Sequence, residues 1–520
     1  MKRQSISVQA IAVLAFVLIC TAPIGCGITF AAQPTSGGVL RIATYTDGNA
    51  IGYPPESTRG PILGMCQSFP AVETLFRPDK TGLPVPWLAS SAKEDTKENT
   101  LVIGLKKGIK FHDGTDFTAE AVKWNIDQHL AVKGPGTEML RSVDVLDPYT
   151  VRLNLVEWDN RIMSSLTAQL GMMISPTACK KNGKEWAAKH PVGTGPFEFV
   201  SWEKDVRTTC KKFAGYWQKG KPYLDRIEWN IIGETFTRES ALKSGEMDVI
   251  LFPAPSDVAG LQKDGFVVTR HMITAGARGG VFDSANPKSP FHDLRVRQAA
   301  QYAIDAEAIV KALFQGEAEA TNQFNHKAHW GYNPSIVGYP YNPAKAKQLL
   351  AEAGYPNGFK TKLLPRIMPM DQSLFTIVQG YLKAIGIDAQ LDPQETPRFN
   401  QRALGGGGWE GILEDVLPPD PDLPGFLADK YSGRPGFFVS MLVPDDYKQA
   451  LLKAIKAPNF REKQKWTQEA LKLMTDKYCL CLVLVKDNDL VVSKASVHDT
   501  GIDEFMSPTV WTPESAWMQR

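Results

Sequence analysis

Residues 191–232 constrain the fold more than any other stretch of this 520-residue chain. They read as strand, tight turn, strand, aromatic loop, strand. Gly193-Thr194-Gly195-Pro196 is a turn that asks for glycine backbone freedom followed by the fixed φ of proline. Phe197-Glu198-Phe199-Val200 alternates as a half-buried strand does, and β-prone Val206-Arg207-Thr208-Thr209 is expected to pair back on it. Tyr216, Trp217 and Tyr223 crowd a Gly/Pro loop ahead of a third strand, Ile227-Glu228-Trp229-Asn230-Ile231-Ile232.

The flanking chain supplies both helices and strands. Val39 to Tyr45 is a first strand after Gly37-Gly38, and the loop it feeds begins where α/β folds commonly place ligands. Thr100 to Leu105 and Thr150 to Leu155 are further strands. Thr118 caps a helix with Val122, Ile126 and Leu130 on one face. Thr237 to Lys243 reads as helix, Gly245 as its stop and Met247 to Leu251 as strand, a unit suited to a mixed α/β sheet. Beyond residue 276, Asp293, Asp305 and Asn342 each cap a helix, the last with Pro343 at its first position. Thr376 to Ile385, Lys448 to Ile455 and Phe460 to Thr475 are helices, and Ile387 to Leu391 and Cys479 to Val485 are strands. Gly405 to Gly408 is a flexible loop into Trp409. Residues 415–435 hold many Pro, Asp and Gly residues and show little periodicity.

A chain this long suits two or three domains, since single cores stop growing near ~250–300 residues. Its start reads as a secretory signal: Lys2 and Arg3, an apolar run from Ala10 to Cys20, then a small-residue cleavage site at Thr29-Phe30-Ala31-Ala32. A lipid anchor on Cys20 or Cys26 is disfavoured by the residues before them. Without Lys2 and Arg3 the basic and acidic residues balance at 56 each, which leaves no footprint for nucleic acid. Outside the leader stand Cys66, Cys179, Cys210, Cys479 and Cys481. Five is odd, so at least one is free or paired between chains. Cys479 and Cys481 sit two apart on the expected strand, face the same side and do not bond each other.

Catalytic motifs are not found. Gly215 to Lys221 matches most of a phosphate-binding loop, but Pro222 stands where Ser or Thr must hold magnesium. His-Glu-x-x-His and Gly-x-Ser-x-Gly patterns do not occur. His326 and His329 could share a helical face, yet without nearby Cys or a second carboxylate they read as a surface pair. His112 reads as a satisfied turn histidine. No enzyme, metal site or cofactor is expected.

Several segments extend the pattern of 191–232: Glu73-Thr74-Leu75-Phe76, Lys107 to Gly114, Phe117 to Trp124, Leu242 to Asp248, Pro290 to Ala299, and Tyr341 to Ala346 with Glu352 to Pro356. In this order they resemble family 5 of the extracytoplasmic solute-binding proteins of ABC importers, which bind oligopeptides, dipeptides, nickel complexes and related solutes. The resemblance covers roughly residues 38–500. It implies an α/β, two-lobed periplasmic-binding-protein (Venus-flytrap) fold with mixed sheets and an extra domain on the first lobe. The implied parts are a signal peptide (1–32), a discontinuous lobe I (33–68, 191–275 and 486–520), the extra domain (69–190) and lobe II (276–485). The implied function is a periplasmic receptor, monomeric, that captures a short peptide or similar zwitterion between its lobes and delivers it to an inner-membrane ABC permease. A metal chelate, an oligosaccharide or another organic solute is the alternative cargo.

In peptide-binding members of that family an aspartate after a Trp meets the free amine of the peptide. Asp415 is the match here, although its loop is longer and carries Leu417-Pro418-Pro419; an exposed acidic loop is the other reading. Arg278 is placed to pair with a ligand carboxylate or to lie on the surface. Asp283 or Ser284, in a departure from the family pattern, alters the polarity of the cleft. Tyr45, Met65 and Trp409 are cleft walls or plain core.

Overall fold

The computed structural model describes residues 33–57, 63–271, 277–417, 422–502, 511 and 513–519. From Pro34 onward they belong to one unit, Pro34–Arg520; the expected signal segment, 1–32, lies outside the described residues. Strand Phe197–Glu203 pairs antiparallel with Arg207–Lys212, and this strand pairs antiparallel with Arg226–Ile231. Arg226–Ile231 then runs parallel to Val39–Thr44. Val249–Leu251, Asp489–Ser493 and Val267–His271 complete a seven-stranded sheet in that order.

The aromatic loop earns its composition through one carboxylate. Glu73 is fully buried. Its Oε1 accepts from Trp87 Nε1 and the Tyr216 hydroxyl, both at 2.8 Å, and its Oε2 accepts from Thr194 Oγ1 at 2.8 Å and Trp217 Nε1 at 3.0 Å. The Arg77 guanidinium lies 3.7 Å away and stacks over Trp87. Four segments distant in sequence thus satisfy one another around a buried charge, as such a charge requires. The glycine at 193 serves close approach rather than an unusual φ: a Cβ there would sit 2.1 Å from the Ala71 carbonyl oxygen.

A six-stranded sheet is ordered Ala318–Ala320, Cys481–Asp487, Ala277–Phe282, Ile412–Leu417, Phe359–Leu364, Ile387–Leu391. Helices Leu294–Tyr302, Ala306–Leu313, Pro343–Glu352 and Pro369–Ala384 cover one face with an apolar core. Helices Thr396–Leu404, Leu423–Lys430, Asp445–Ile455 and Phe460–Lys472 cover the other. The caps form as expected: Asp293 accepts from Arg295 N, Asp305 from Ala308 N and Asn342 from Lys345 N, each worth about 1 kcal/mol. A separate antiparallel sheet, Ala89–Asp95, Thr100–Leu105, Thr150–Leu155, Leu140–Asp147, packs on helix Ala119–Ala131 around its own core.

Several expectations are corrected. The segment read as irregular holds strand Ile412–Leu417 and helix Leu423–Lys430. Cys479 has a φ of +45°, so the strand begins only at Cys481. The two thiols therefore enter the cores on opposite faces of the sheet. All five described cysteines are buried. Thr118 precedes its helix without a side-chain capping bond.

Candidate functional site

Among the described strands, two crossovers join the seven- and six-stranded sheets, one between His271 and Ala277 and one between Asp487 and Asp489. Strand directions follow from those crossovers. Val39–Thr44 and Arg226–Ile231, parallel to Val249–Leu251, end at the edge where Asp489–Ser493 begins. In the second sheet Phe359–Leu364 and Ile412–Leu417 end, and Ala277–Phe282 begins, at the edge where Cys481–Asp487 ends. Both sheets therefore turn strand ends toward the crossovers, the position at which open α/β sheets hold ligands.

The first edge is aromatic. Tyr45 is 47% exposed and meets Phe252 edge-on, with ring centroids 5.5 Å apart. Phe236, in the first turn of helix Thr235–Ser244, is 73% exposed. Arg238 braces this edge, donating to the carbonyls of Ile232 (2.8 Å), Gly233 (3.0 Å) and Phe252 (3.0 Å). Burial, reinforced by the charge of Asp489, raises the Tyr45 pKa and keeps its hydroxyl protonated.

The second edge is a charge cluster. Arg278 donates through Nη1 to Asp371 at 2.5 Å and through Nε to Asp487. Arg366 pairs with Asp371 and Glu414, each at 3.1 Å, and its backbone N–H adds a 2.6 Å bond to Glu414. Asp415 accepts from the hydroxyl of fully buried Tyr431, which stacks on Phe438. Burial, with the nearby Asp371 charge, pushes the Glu414 carboxyl up to about 8 against the pull of Arg366. Burial likewise raises the Asp487 carboxyl, and it drives buried Lys486 down to about 8. Four carboxylates face two guanidiniums, with Lys486 beside them, and a proton on Glu414 reduces the excess charge. Three atoms in this cluster stay buried without a hydrogen-bond partner among the described residues: the acceptors Asp487 Oδ1 and Asp371 Oδ2, the latter held only by its ion pair with Arg366, and the donor Arg366 Nε.

The residues singled out by sequence fall into separate places. Tyr45 lies on the first edge; Arg278 and Asp415 lie on the second. Arg278 is committed to two carboxylates of its own protein rather than open to a ligand, and Asp415 is engaged by Tyr431 beside a void of about 10 Å³, room for about one water. Asp283 and Trp409 lie at the opposite end of the second sheet. Asp283 follows Arg278 by five strand positions, about 16 Å, and accepts from Ser289 at 2.6 Å. Trp409 is buried, with Nε1 donating to the Val281 carbonyl at 3.1 Å, and Ser284 accepts from Leu442 N at 2.9 Å. Trp409 precedes strand Ile412–Leu417, and Asp283 and Ser284 follow strand Ala277–Phe282, so all three lie at the end of the sheet away from the crossovers. Met65 belongs to helix Leu63–Ser68, and its side chain lies outside the described residues. Arg366, Asp371, Asp487, Phe236 and Tyr431 were missed; the available signal was a charged residue at or just past the end of an apolar strand, as in Asp487 and Arg366.

His326 and His329 do not share a helical face. His329 is buried and its Nδ1 accepts from Gly331 N at 2.9 Å, whereas His326 turns Nε2 toward Glu319 at 3.7 Å. Among the described residues no group of three or more His, Cys, Asp or Glu could hold a metal ion, and no helix is long and apolar enough to cross a membrane.

With two sheets facing across paired crossovers, the comparison with known proteins is direct. The model of bacterial extracellular solute-binding proteins, family 5 (middle), matches residues 84–437. The chain belongs to this family. The family 5 fold is the two-lobed periplasmic-binding-protein fold, and solved structures share it over nearly the whole chain. One is the periplasmic binding protein DppA of Helicobacter pylori in complex with the peptide STSA (TM-score 0.75, 24% identity, 94% of this chain and 99% of that one). Another is a dipeptide-binding protein of Pseudoalteromonas sp. SM9913 in complex with Met-Leu (TM-score 0.74, 20% identity, 93% and 100%). In sequence, the chain is 37% identical over 303 residues to the glutathione-binding protein GsiB of Shigella flexneri serotype 5b. That match spans 56% of this chain and 58% of the length of the relative.

Proposed function

We propose that this family 5 protein captures a short peptide, or a similar zwitterion, in the crevice between the two sheets and hands it to an inner-membrane ABC permease. It works as a binder rather than an enzyme, outside the cytoplasmic membrane, after export by its N-terminal signal. The observation that carries the reading is the set of unmet groups at the charged edge. Asp487 Oδ1 offers an acceptor to an ammonium and Arg366 Nε offers a donor to a carboxylate or carbonyl, while Tyr45 and Phe236 supply apolar walls opposite. A cationic group entering a cluster with surplus carboxylates supplies the missing charge, which a neutral sugar cannot. The similarity to a glutathione-binding protein and the fold shared with peptide-bound proteins support the same class.

Calorimetry of the mature protein with glutathione and a dipeptide series, each beside its N-acetylated form, tests this reading. Binding that acetylation weakens at least tenfold is the expected result. Equal affinity for acetylated and free peptides, or tight binding of a metal chelate or oligosaccharide alone, would overturn it.

A further inference from the structure

Helix Asp445–Ile455 of the six-stranded assembly leaves carbonyls at its C-terminal end that its own turns do not fully satisfy. Donors reach them from the four-stranded assembly, some three hundred residues away in sequence. Asn160 N donates to the Ile455 carbonyl at 2.8 Å. Asn160 Nδ2 donates to Ala454 at 2.8 Å and Ala457 at 3.2 Å, and Trp158 Nε1 donates to Ala457 at 3.1 Å. Trp158, Asn160 and Ala457 are 6%, 8% and 4% exposed, so these bonds are shielded from water. Two ion pairs flank them, Lys456 with Glu157 at 2.6 Å and Arg161 with Asp429 at 2.5 Å.

The covalent path gives this contact its meaning. Residues 277–487 join the rest of the chain only through the two crossovers, whereas strand Thr150–Leu155 and the segment after it lead directly into the seven-stranded sheet. A rotation of the six-stranded assembly about the crossovers that carries it away from the four-stranded assembly pulls the helix end from Trp158 and Asn160. We infer that residues 157–161 and the C-terminal end of helix Asp445–Ile455 form a closure clasp, a second set of contacts outside the ligand crevice that biases the protein toward its closed state. The clasp requires only that the crevice open and close, whichever solute it holds, so loss of the peptide reading would leave it standing.

The clasp also sets apparent affinity, since binding is weakened by the fraction of molecules that are not closed. Asn160→Ala removes two shielded bonds while keeping the backbone bond, and is expected to lower the closed-to-open ratio by about tenfold. The test uses the mature protein stripped of solute by unfolding and refolding. Small-angle scattering reads the overall opening, and hydrogen exchange reads the Asn160 segment against strand Thr150–Leu155. The expected result is a larger radius of gyration and faster exchange at residues 158–161 in the variant, with the strand unchanged. An identical radius and identical exchange would overturn the clasp. Should Asn160→Ala fail to fold, Lys456→Glu, at the solvent-facing pair, carries the same test: opening by severalfold supports the clasp, and no opening refutes it.

Discussion

Replacing Glu73 by Ala strips one acceptor from four buried or half-buried donors at once, Trp87 Nε1, Thr194 Oγ1, the Tyr216 hydroxyl and Trp217 Nε1. Each donor left unpaired in the interior costs about 1–3 kcal/mol. Two considerations lower the sum. The four share one network, so their losses do not add, and removing Glu73 also relieves the cost of burying its own charge. Arg77 keeps Glu514 at 3.2 Å, so no cation is orphaned. A net loss of about 4 kcal/mol remains, within the range seen for broken buried networks. At about 2 °C per kcal/mol for a chain of this size or somewhat larger than those surveyed, the melting temperature is expected to fall by about 8 °C. Thermal melting followed by circular dichroism reads it, with exposed Glu246→Ala as the control, expected within about 0.5 kcal/mol of wild type. A Glu73→Ala melting temperature within about 1 °C of that control would refute the reasoning.

Glu414 gives a pH signature. With its folded pKa pushed up to about 8, the folded state holds a proton the unfolded chain has already lost, so stability should decline as pH rises from 5 to 8. Glu414→Gln is expected to flatten that decline, and an unchanged profile of melting temperature against pH would count against the protonated cluster. His129 acts in the opposite direction: burial depresses its pKa to about 4, so stability falls as pH drops below about 6.5, and His129→Gln should remove this acid-side loss in urea titrations at pH 5 and pH 7. Phe236→Ala, at a side chain 73% exposed, should weaken solute binding by about tenfold while leaving the melting temperature within about 1 °C; equal binding would remove Phe236 from the crevice wall. The five described thiols should resist alkylation in buffer and react fully in denaturant, with labelling counted by intact mass.

Local signals were the most legible in this sequence. Asp293, Asp305 and Asn342 cap helices through bonds that span two or three residues, so a short window contains the whole interaction. The 191–232 stretch was legible because its turn formers and aromatics concentrate in one place, although the carboxylate that organises them, Glu73, lies over a hundred residues upstream. The charged edge was hidden for two reasons. Strand Ile412–Leu417 carries Glu414 and Asp415 at its centre, a composition that disfavours strands and is tolerated here because Arg366 and Tyr431 answer those charges. Helix Leu423–Lys430 contains Pro and Gly, with the Pro tolerated in the first turn. The cluster also draws on strands or strand ends near 278, 366, 414 and 487, and only the order of the six-stranded sheet brings them together. A one-dimensional pattern carries no such order, which is why the sequence left Trp409 as either cleft wall or plain core; its side chain is buried at the far end of the sheet.

Native mass spectrometry of the mature protein, taken from its own compartment without refolding, addresses the cargo most directly. A discrete added mass matching glutathione or a short peptide, released on acid denaturation, is the expected result. An added mass of a metal chelate, a sugar or another solute without a free ammonium would contradict the zwitterion site built around Asp487 and Arg366.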